Sequence, residues 1–295
     1  MTAINIIDCH AHFEPAILGT PGVICRMDLH GIQKTALMSK VTIKPIYKKS
    51  EFLMGIQRFL LNNKVLRPIA KKLDDSFHKK NGEWNPWYRK FFGKSNSYEI
   101  LHHPDNQSVF DAVAQYPDRL LGWIFLNPKI PNWEQEFVRW KDAQGSIGIK
   151  IHPFWHRYSL KDAHPIAKLA QKYKLPLMIH MGFDSLDTIN EFISEFVNLK
   201  LIFSHAAFPY YGDIWKIIKN NPHHYVDLSS HHVSASILRE VTGNLGANRC
   251  LYGTDDPYGD ERAGIMIQSW IQKIGLSHEE QKLIFSKNFL KVINK

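Results

Sequence analysis

The stretch Ile4-Asn5-Ile6-Ile7-Asp8-Cys9-His10-Ala11-His12 begins the chain with an apolar, β-branched run that ends in two histidines. Short runs of the same kind recur along the chain, and stretches of helical character separate most of them. The predicted strands are Ile4–Asp8, Thr35–Met38, Leu120–Leu126, Ile147–Ile151, Leu177–Ile179, Lys200–Phe203, His224–Leu228 and Arg249–Tyr252. Alternating strands and helices indicate parallel strands joined by crossovers. Eight strands predict an α/β fold, a (β/α)8 TIM barrel, and a doubly wound open sheet is the alternative.

The segments between these runs place apolar residues at helical spacing. In Thr188–Phe196, apolar side chains recur at intervals of three and four residues, which is typical of a helix with one buried face. The same pattern predicts helices over Gln107–Tyr116, Trp133–Trp140, Pro165–Tyr173 and Arg262–Ile274.

The composition is that of a globular protein. Of 295 residues, 44% are hydrophobic and 22% charged, which excludes a disordered chain, a collagen-like repeat and a disulfide mini-scaffold. We expect residues 1–295 to form a single barrel. The three cysteines form no CxxC pair, and neither a signal peptide nor an apolar stretch of about 20 residues is present. The sequence therefore predicts a cytoplasmic protein without integral membrane association.

The net charge of +9 comes from one segment. Residues 44–94 contain thirteen Lys and Arg against four Asp and Glu, whereas the remainder carries 24 residues of each sign. A basic excess is typical of proteins that bind nucleic acid, a membrane surface or an anionic substrate. Its confinement to one segment predicts a neutral body that carries a basic insertion.

We place this insertion at residues 44–100, between the second and third strands. It contains an apolar helical pattern over residues 52–60 that ends near Pro68, and an aromatic cluster, Trp84, Trp87, Tyr88, Phe91 and Phe92, interleaved with Arg89 and Lys90. Such a cluster suits nucleic acid or a membrane surface, a lid over an anionic substrate, or a packed helical cap. Because no base-reading motif is present, the sequence favours a lid or a cap, and no nucleic-acid partner.

Polar side chains stand where the predicted strands end. They are His10 and His12 after the first strand, Lys150 and His152 after the fourth, His180 after the fifth, His205 after the sixth and Asp255 after the eighth. A single histidine in such a place is more often structural. Several at the same end of parallel strands predict a functional site, because those ends meet at one face of a barrel.

The residue types indicate a metal site. His10 and His12 lie two residues apart, about 6.6 Å along one face of a strand, so that their imidazoles can converge on one ion. With His180 and Asp255 they form a nitrogen–oxygen site suited to zinc, manganese or iron. His205 is either a further ligand or a hydrogen-bond donor to the substrate. Asp255 can both bind the metal and accept a proton from its water, whose pKa falls to about 7.

These motifs resemble those of the amidohydrolase superfamily, in the branch called amidohydrolase 2. The matching segments, in order, are Ile7–Phe13, Gly148–Pro153, Pro176–His180, Ile202–His205, Tyr225–Ser229 and Tyr252–Pro257, followed by the C-terminal segment Ser277–Ile293. The resemblance implies a metal-dependent barrel whose ligands are His10, His12, His180, Asp255 and sometimes His205. It departs from the family at Ala206 and Ala207, where relatives often carry glycine.

Lys150 occupies the position where binuclear relatives of this superfamily carry a carboxylated lysine that bridges two metals. The resemblance therefore leaves one or two ions open, and a buried lysine paired with Asp255 or with a substrate carboxylate is the structural alternative. His152 shares the inward face with Lys150 by strand alternation. We take His152, with the nearby Trp155, as a candidate for substrate binding.

The predicted function is a metal-dependent hydrolase, with zinc the expected cofactor and manganese or iron as alternatives. Its metal-activated water would attack an ester, lactone or amide-type carbonyl of a small, anionic substrate, with Asp255 and His205 as catalytic residues. The alternative is a metal-dependent non-oxidative decarboxylase. A third possibility is a non-enzymatic binding module, which the intact ligand set argues against. The chain is also compatible with a homo-oligomer.

Overall fold

A computed structural model describes residues 4–44, 59–61, 63, 65–78, 85, 99–258 and 263–294. In this part of the chain, parallel strands pair in the order of the sequence, β1 to β8. They are β1 (Ile7–Phe13), β2 (Lys34–Ser39), β3 (Leu120–Phe125), β4 (Ser146–Ile151), β5 (Leu177–Ile179), β6 (Leu201–Phe203), β7 (His224–Asp227) and β8 (Cys250–Leu251). The Cys9 N–H donates to the Tyr252 carbonyl at 3.0 Å and so joins β1 to the end of β8. The TIM-barrel prediction is confirmed, because a doubly wound sheet would not keep this strand order.

Helices connect the strands and cover the outside of the barrel. They are α1 (Thr20–Leu29), α2 (Arg67–Phe77), α3 (Asn106–Gln115), α4 (Trp133–Trp140), α5 (Pro153–His156), α6 (His164–Tyr173), α7 (Leu186–Glu195), α8 (Tyr211–Ile218), α9 (Ala235–Leu245), α10 (Ala263–Lys273), α11 (His278–Lys282) and α12 (Asn288–Val292). The predicted amphipathic helices are present with small shifts at their ends. In α7, for example, Ile189, Phe192 and Ile193 are buried against the barrel. In the described residues no helix is long and apolar enough to cross a membrane.

A bulge in β1 determines which side chains face the mouth of the barrel. The pairing register with β2 shifts by one residue between Asp8 and Ala11. Cys9 packs in the cluster that fills the barrel, whereas Ala11 packs in the cluster between strands and helices. A regular strand would place Cys9 and Ala11 on the same face. The bulge therefore turns His10 and His12 inward, as bulges beside active sites commonly do.

The bulge is held from inside the barrel by Trp123. The indole Nε1–H of Trp123 donates to the Cys9 carbonyl at 3.0 Å, and Trp123 is fully buried. The room for this ring comes from Gly148 on β4, where a Cβ would lie 2.6 Å from Trp123 Cζ3 and 2.7 Å from the Pro176 carbonyl oxygen. Glycine is thus required at position 148 because the side chain of Trp123 and the backbone of Pro176 pack closely against it.

The described part of the insertion includes helix α2, which lies against the loops after β4, β5 and β6. Asp74 pairs with Arg157, the Lys71 amine donates to the Phe183 carbonyl at 3.1 Å, and the Arg67 guanidinium lies 4.5 Å from the centre of the Tyr210 ring. These loops follow the C-terminal ends of the strands. This helix therefore lies at the face of the barrel where the predicted ligands are found.

The prediction of a helical segment ending near Pro68 is tested in part. Phe59–Leu61 are helical, but residues 52–58 and the aromatic cluster from Trp84 to Phe92 lie outside the described residues. Helix α2, which was not predicted, begins at Arg67 with Pro68 in its first turn. Proline is tolerated there because the first N–H groups of a helix have no intrahelical partner.

We expect Gly148→Ala to lower the free energy of unfolding by about 1–3 kcal/mol, the usual cost of overpacking a core. The added methyl group would press on Trp123 and the backbone of Pro176. Denaturant unfolding followed by tryptophan fluorescence measures the change. Gly243→Ala is the control, because its Cβ meets nothing within 4 Å in α9, and alanine in a helix is favoured over glycine by up to ~1 kcal/mol. Equal stability of the two variants would contradict the packing argument.

Candidate metal centre

His10 is oriented by a buried carboxylate, that of Asp227 at the end of β7, two strands away around the barrel. Its Nδ1–H donates to Asp227 Oδ2 at 2.9 Å, and neither side chain is exposed. Because an ionised carboxylate only accepts hydrogen bonds, the ring proton is on Nδ1 and the Nε2 lone pair is free. The Nε2 atom is buried, has no hydrogen-bond partner, and lies 3.5 Å from Asp255 Oδ1.

The same carboxylate orients His205 through Ser229. The Ser229 hydroxyl donates to Asp227 Oδ1, so its oxygen accepts the proton of His205 Nδ1, which lies 2.9 Å away. The backbone N–H groups of His205 and Ser229 also donate to Asp227 Oδ1, at 3.1 and 3.0 Å. His205 therefore also has its lone pair on Nε2.

His12 and His180 reach the same tautomer through backbone carbonyls. His12 Nδ1–H donates to the Ser39 carbonyl at 2.8 Å, and His180 Nδ1–H donates to the Met181 carbonyl at 3.1 Å. The Nε2 atom of His12 lies 3.6 Å from Asp255 Oδ1. The ring of His180 is 4.9 Å from that of His205, measured between centroids.

The structure brings His10, His12, His205 and Asp255 together and places the ring of His180 beside that of His205. Ligand atoms of His10, His205 and Asp255 all lie within 4.8 Å of one another. Around Asp255 Oδ1, the Nε2 atoms of His10 and His12 are too far for a hydrogen bond and near enough to share one ion. A buried, unpartnered Nε2 beside a carboxylate is the arrangement expected of residues that fit a divalent metal. Each imidazole is also held by a hydrogen bond on its other nitrogen, as metal-binding histidines usually are.

Burial favours the neutral, metal-binding form of His12, His180 and His205. Burial, together with the nearby Lys150 charge, lowers the pKa of His180 to about 3. Burial likewise holds the pKa values of His12 and His205 well below the usual range. For Asp227, burial alone would raise the pKa, but its interaction and hydrogen bond with His10, together with the hydrogen bond from Ser229, outweigh burial and hold the pKa below its usual value.

Asp255 is positioned by a strained turn after β8. Its φ of 64° lies in the left-handed region, which costs a residue with a side chain about 1 kcal/mol or more. Its backbone N–H donates to the His10 carbonyl at 2.7 Å. The carboxylate side chain is 11% exposed, so it can reach both the histidines and the solvent side of the mouth.

Lys150 lies beside this centre and is wholly buried. Its amine donates to the Ser204 hydroxyl at 2.9 Å. Burial lowers the pKa of Lys150 to about 8, against the charges of Asp227 and Asp255, which raise it. A lysine with this pKa is partly neutral near pH 7. In the structure Lys150 makes a hydrogen bond to Ser204. Whether Lys150 takes part in a site with one ion or with two stays a prediction.

His152, a predicted substrate contact, is stacked on His180. The ring centroids are 3.9 Å apart and the planes differ by 14°. Its Nδ1 accepts a hydrogen bond from the backbone N–H of Trp155 at 3.2 Å. The Trp155 side chain is half-buried, and its ring lies 6.1 Å from that of His152. Both residues therefore lie beside the predicted ligand His180.

The sequence predicted no role for Asp227 and Ser229, although both belong to the family-like segment Tyr225–Ser229. A lone acidic residue at the end of an apolar strand carries no local signal of the histidines it meets elsewhere in the barrel. Asp8, two residues before His10, accepts hydrogen bonds from Thr254 Oγ1 at 2.6 Å and from the backbone N–H groups of His10 and Thr254. It therefore joins β1 to the segment after β8.

Imidazoles and a carboxylate that converge at the C-terminal face of a TIM barrel are typical of metal-dependent barrel enzymes. Comparison with protein families agrees, because the model of a family described as Amidohydrolase matches residues 7–294. The chain belongs to this family, which is metal-dependent. The resemblance to the amidohydrolase 2 branch is thus confirmed. None of the curated protein sequences matches this chain.

Several solved structures share the fold over nearly the whole length of both chains. A 5-carboxyvanillate decarboxylase from Novosphingobium aromaticivorans, with bound manganese, has a TM-score of 0.63 at 15% identity and covers 99% of this chain and 98% of its own. A probable 2-pyrone-4,6-dicarboxylic acid hydrolase from Acinetobacter baumannii, with bound citric acid, has a TM-score of 0.59 at 15% identity, covering 99% and 100%. A TIM-barrel protein from Bordetella bronchiseptica has a TM-score of 0.64 at 13% identity, covering 99% of each.

We expect Asp227→Asn to weaken metal binding by about 10- to 100-fold, the usual loss when a group that orients a ligand is removed. Three donors face Oδ1, so the amide oxygen of asparagine must take that side and its NH2 group must face His10 Nδ1. His10 would then carry its proton on Nε2 and lose its lone pair. Titration calorimetry of the metal-free protein with Zn²⁺ measures the change. Asp256→Asn is the control, because that carboxylate pairs with Arg26 at 3.4 Å, and equal loss in both variants would contradict the assignment.

We also expect metal retention to vary little between pH 7 and pH 5. Protons compete with metal for an imidazole only when the pH is near or below its pKa in the folded protein, and that pKa is about 3 for His180. An imidazole with the usual pKa of about 6.5 would already be mostly protonated at pH 5. Equilibrium dialysis followed by elemental analysis measures bound metal at each pH. Release with a midpoint near pH 6.5 would show that the folded chain does not lower these pKa values.

Proposed function

We propose that the protein is a metal-dependent hydrolase that acts on an ester, lactone or amide-type carbonyl of a small, anionic substrate. The observation that carries the proposal is the common tautomer of His10, His12, His180 and His205, which leaves each Nε2 lone pair free, with those of His10 and His12 beside Asp255. These side chains would hold a divalent ion, with zinc expected and manganese as the alternative. When bound, such an ion polarises a carbonyl and lowers the pKa of water to about 7.

Asp255 is the proposed proton acceptor. Its carboxylate is held beside His10 and His12 and is partly exposed to the mouth. It can take a proton from the water that attacks the carbonyl and return that proton to the leaving group. Of the two roles predicted for His205, the tautomer favours the metal ligand, since a hydrogen bond to the substrate would require the proton on Nε2.

The preference for an anionic substrate is supported by the position of the insertion. The basic excess of the chain lies within residues 44–94, and helix α2 from that segment lies against loops at the mouth. A basic element beside a water-excluding site raises the local concentration of anions. The insertion is in this proposal a lid that contributes to substrate choice.

Non-oxidative decarboxylation is the second candidate. Beside His180 and His152 lie the rings of Phe154 and Phe125, with Phe183 packed on Phe154. Such aromatic walls suit a planar aromatic acid. The solved decarboxylase of the same fold supports this alternative without assigning it, because low sequence identity shows the fold alone.

Turnover in water enriched in ¹⁸O separates the two reactions. We expect the zinc- or manganese-loaded protein to convert members of a panel of carboxylated lactones, esters and amides, with one labelled oxygen entering the newly formed carboxylate. Carbon dioxide released from aromatic acids, with no label in the aromatic product, would instead establish decarboxylation. Asp255→Asn should lower kcat by about 10²- to 10⁴-fold as a proton acceptor is lost, whereas Asp256→Asn should not. Full activity of the metal-free protein or of Asp255→Asn would refute both candidate functions, hydrolysis and decarboxylation.

A further inference from the structure

We propose that His152 is a neutral hydrogen-bond donor, through Nε2–H, to the substrate oxygen that gains negative charge during the reaction. This assignment rests on the proposed metal-dependent carbonyl chemistry and adds a catalytic residue to it. It distinguishes His152 from His10, His12, His180 and His205, which are the proposed ligands. The proton stays on His152 throughout, so no covalent bond to the imidazole forms or breaks.

The tautomer of His152 is fixed by a backbone amide. The N–H of Trp155 donates to His152 Nδ1 at 3.2 Å, and an amide N–H cannot accept a hydrogen bond in return. Nδ1 is therefore unprotonated, and the neutral ring carries its proton on Nε2. The loop that holds this geometry is itself fixed, because the backbone N–H of His152 donates to the Tyr158 hydroxyl at 3.2 Å.

The proposed ligands have the opposite arrangement. In His10, His12, His180 and His205, the Nδ1–H donates to an oxygen and Nε2 carries the lone pair. A metal ion needs the lone pair, whereas a substrate oxygen needs the proton. One ring of reversed tautomer beside the ligands therefore points to a group that binds an oxygen of the substrate.

The position of His152 brings the donor next to the centre. Its ring stacks on that of His180 at a centroid distance of 3.9 Å, so the ring that carries Nε2–H is in contact with a proposed metal ligand. Among the described residues, none accepts this proton. The side chain is 2% exposed, and the ring of Phe125 lies 6.4 Å away. A fixed donor in such a dry, apolar setting stabilises developing charge more strongly than one in water.

Two substitutions separate the donor from the ring. His152→Gln keeps an N–H donor near the position of Nε2, whereas His152→Phe keeps an aromatic ring against His180 and removes the donor. Both lose the acceptor for the Trp155 N–H, so the difference between them isolates Nε2–H. With a substrate identified by the labelling experiment, we expect full metal content in both variants and a loss in kcat of about 10²- to 10³-fold in His152→Phe. His152→Gln should recover at least tenfold of that loss. Equal kcat in the two variants, or loss of metal in His152→Phe, would overturn the assignment.

Two measurements do not depend on turnover. Nitrogen-15 spectra of the histidine-labelled, zinc-loaded protein, assigned by the signals missing in His152→Gln, should show His152 protonated on Nε2. Acetohydroxamate, a small chelating anion, should bind the zinc-loaded protein about tenfold more weakly in His152→Phe than in His152→Gln. A proton on Nδ1, or equal binding in the two variants, would overturn the role of His152. Neither result depends on whether the protein hydrolyses or decarboxylates its substrate.

Discussion

The buried carboxylate of Asp227 is the constraint on which the centre depends. A buried charge must have its lost hydration compensated by hydrogen bonds. Asp227 receives such bonds from His10, from the backbone of His205, and from both the backbone and the hydroxyl of Ser229. These donors come from β1 and from the loops after β6 and β7. One carboxylate thus fixes three parts of the barrel mouth and sets the tautomers of two proposed ligands.

The strand order and the position of the ligands could be predicted because both follow from repeated, local patterns. Apolar runs separated by amphipathic helices indicate parallel strands, and polar residues at the ends of those runs must meet at one face. The bulge in β1 could not be predicted, since the alternation of Ile7, Cys9, Ala11 and Phe13 continues through it without a break in the sequence. It depends on a contact with Trp123, more than one hundred residues away in the chain. The partners of Asp227 could not be predicted for the same reason, because His10 and His205 lie far from it in the sequence.

Some of the positively charged residues of the insertion contact the barrel. Arg67 pairs with Asp213 at 3.6 Å and lies on Tyr210, while Lys71 binds the Phe183 carbonyl. Asp74 pairs in turn with Arg157. Part of the basic excess therefore attaches helix α2 to the barrel, and such cations are less available to a substrate than the net charge suggests. Electrostatic attraction of an anion would rest on the remaining lysines and arginines of the segment.

Three consecutive residues after β6, His205, Ala206 and Ala207, have φ values between 55° and 69°, where glycine is normally found. The family resemblance places glycine in this loop, so the alanines represent a replacement that the fold tolerates at about 1 kcal/mol per residue. The loop is held in this conformation by its contacts, among them the hydrogen bond from Trp215 Nε1 to the Ala206 carbonyl at 2.8 Å. A stiffer loop of this kind has few alternative conformations to sample. The backbone that carries the proposed ligand His205 is therefore held in a defined conformation at the mouth of the barrel, independently of any bound group.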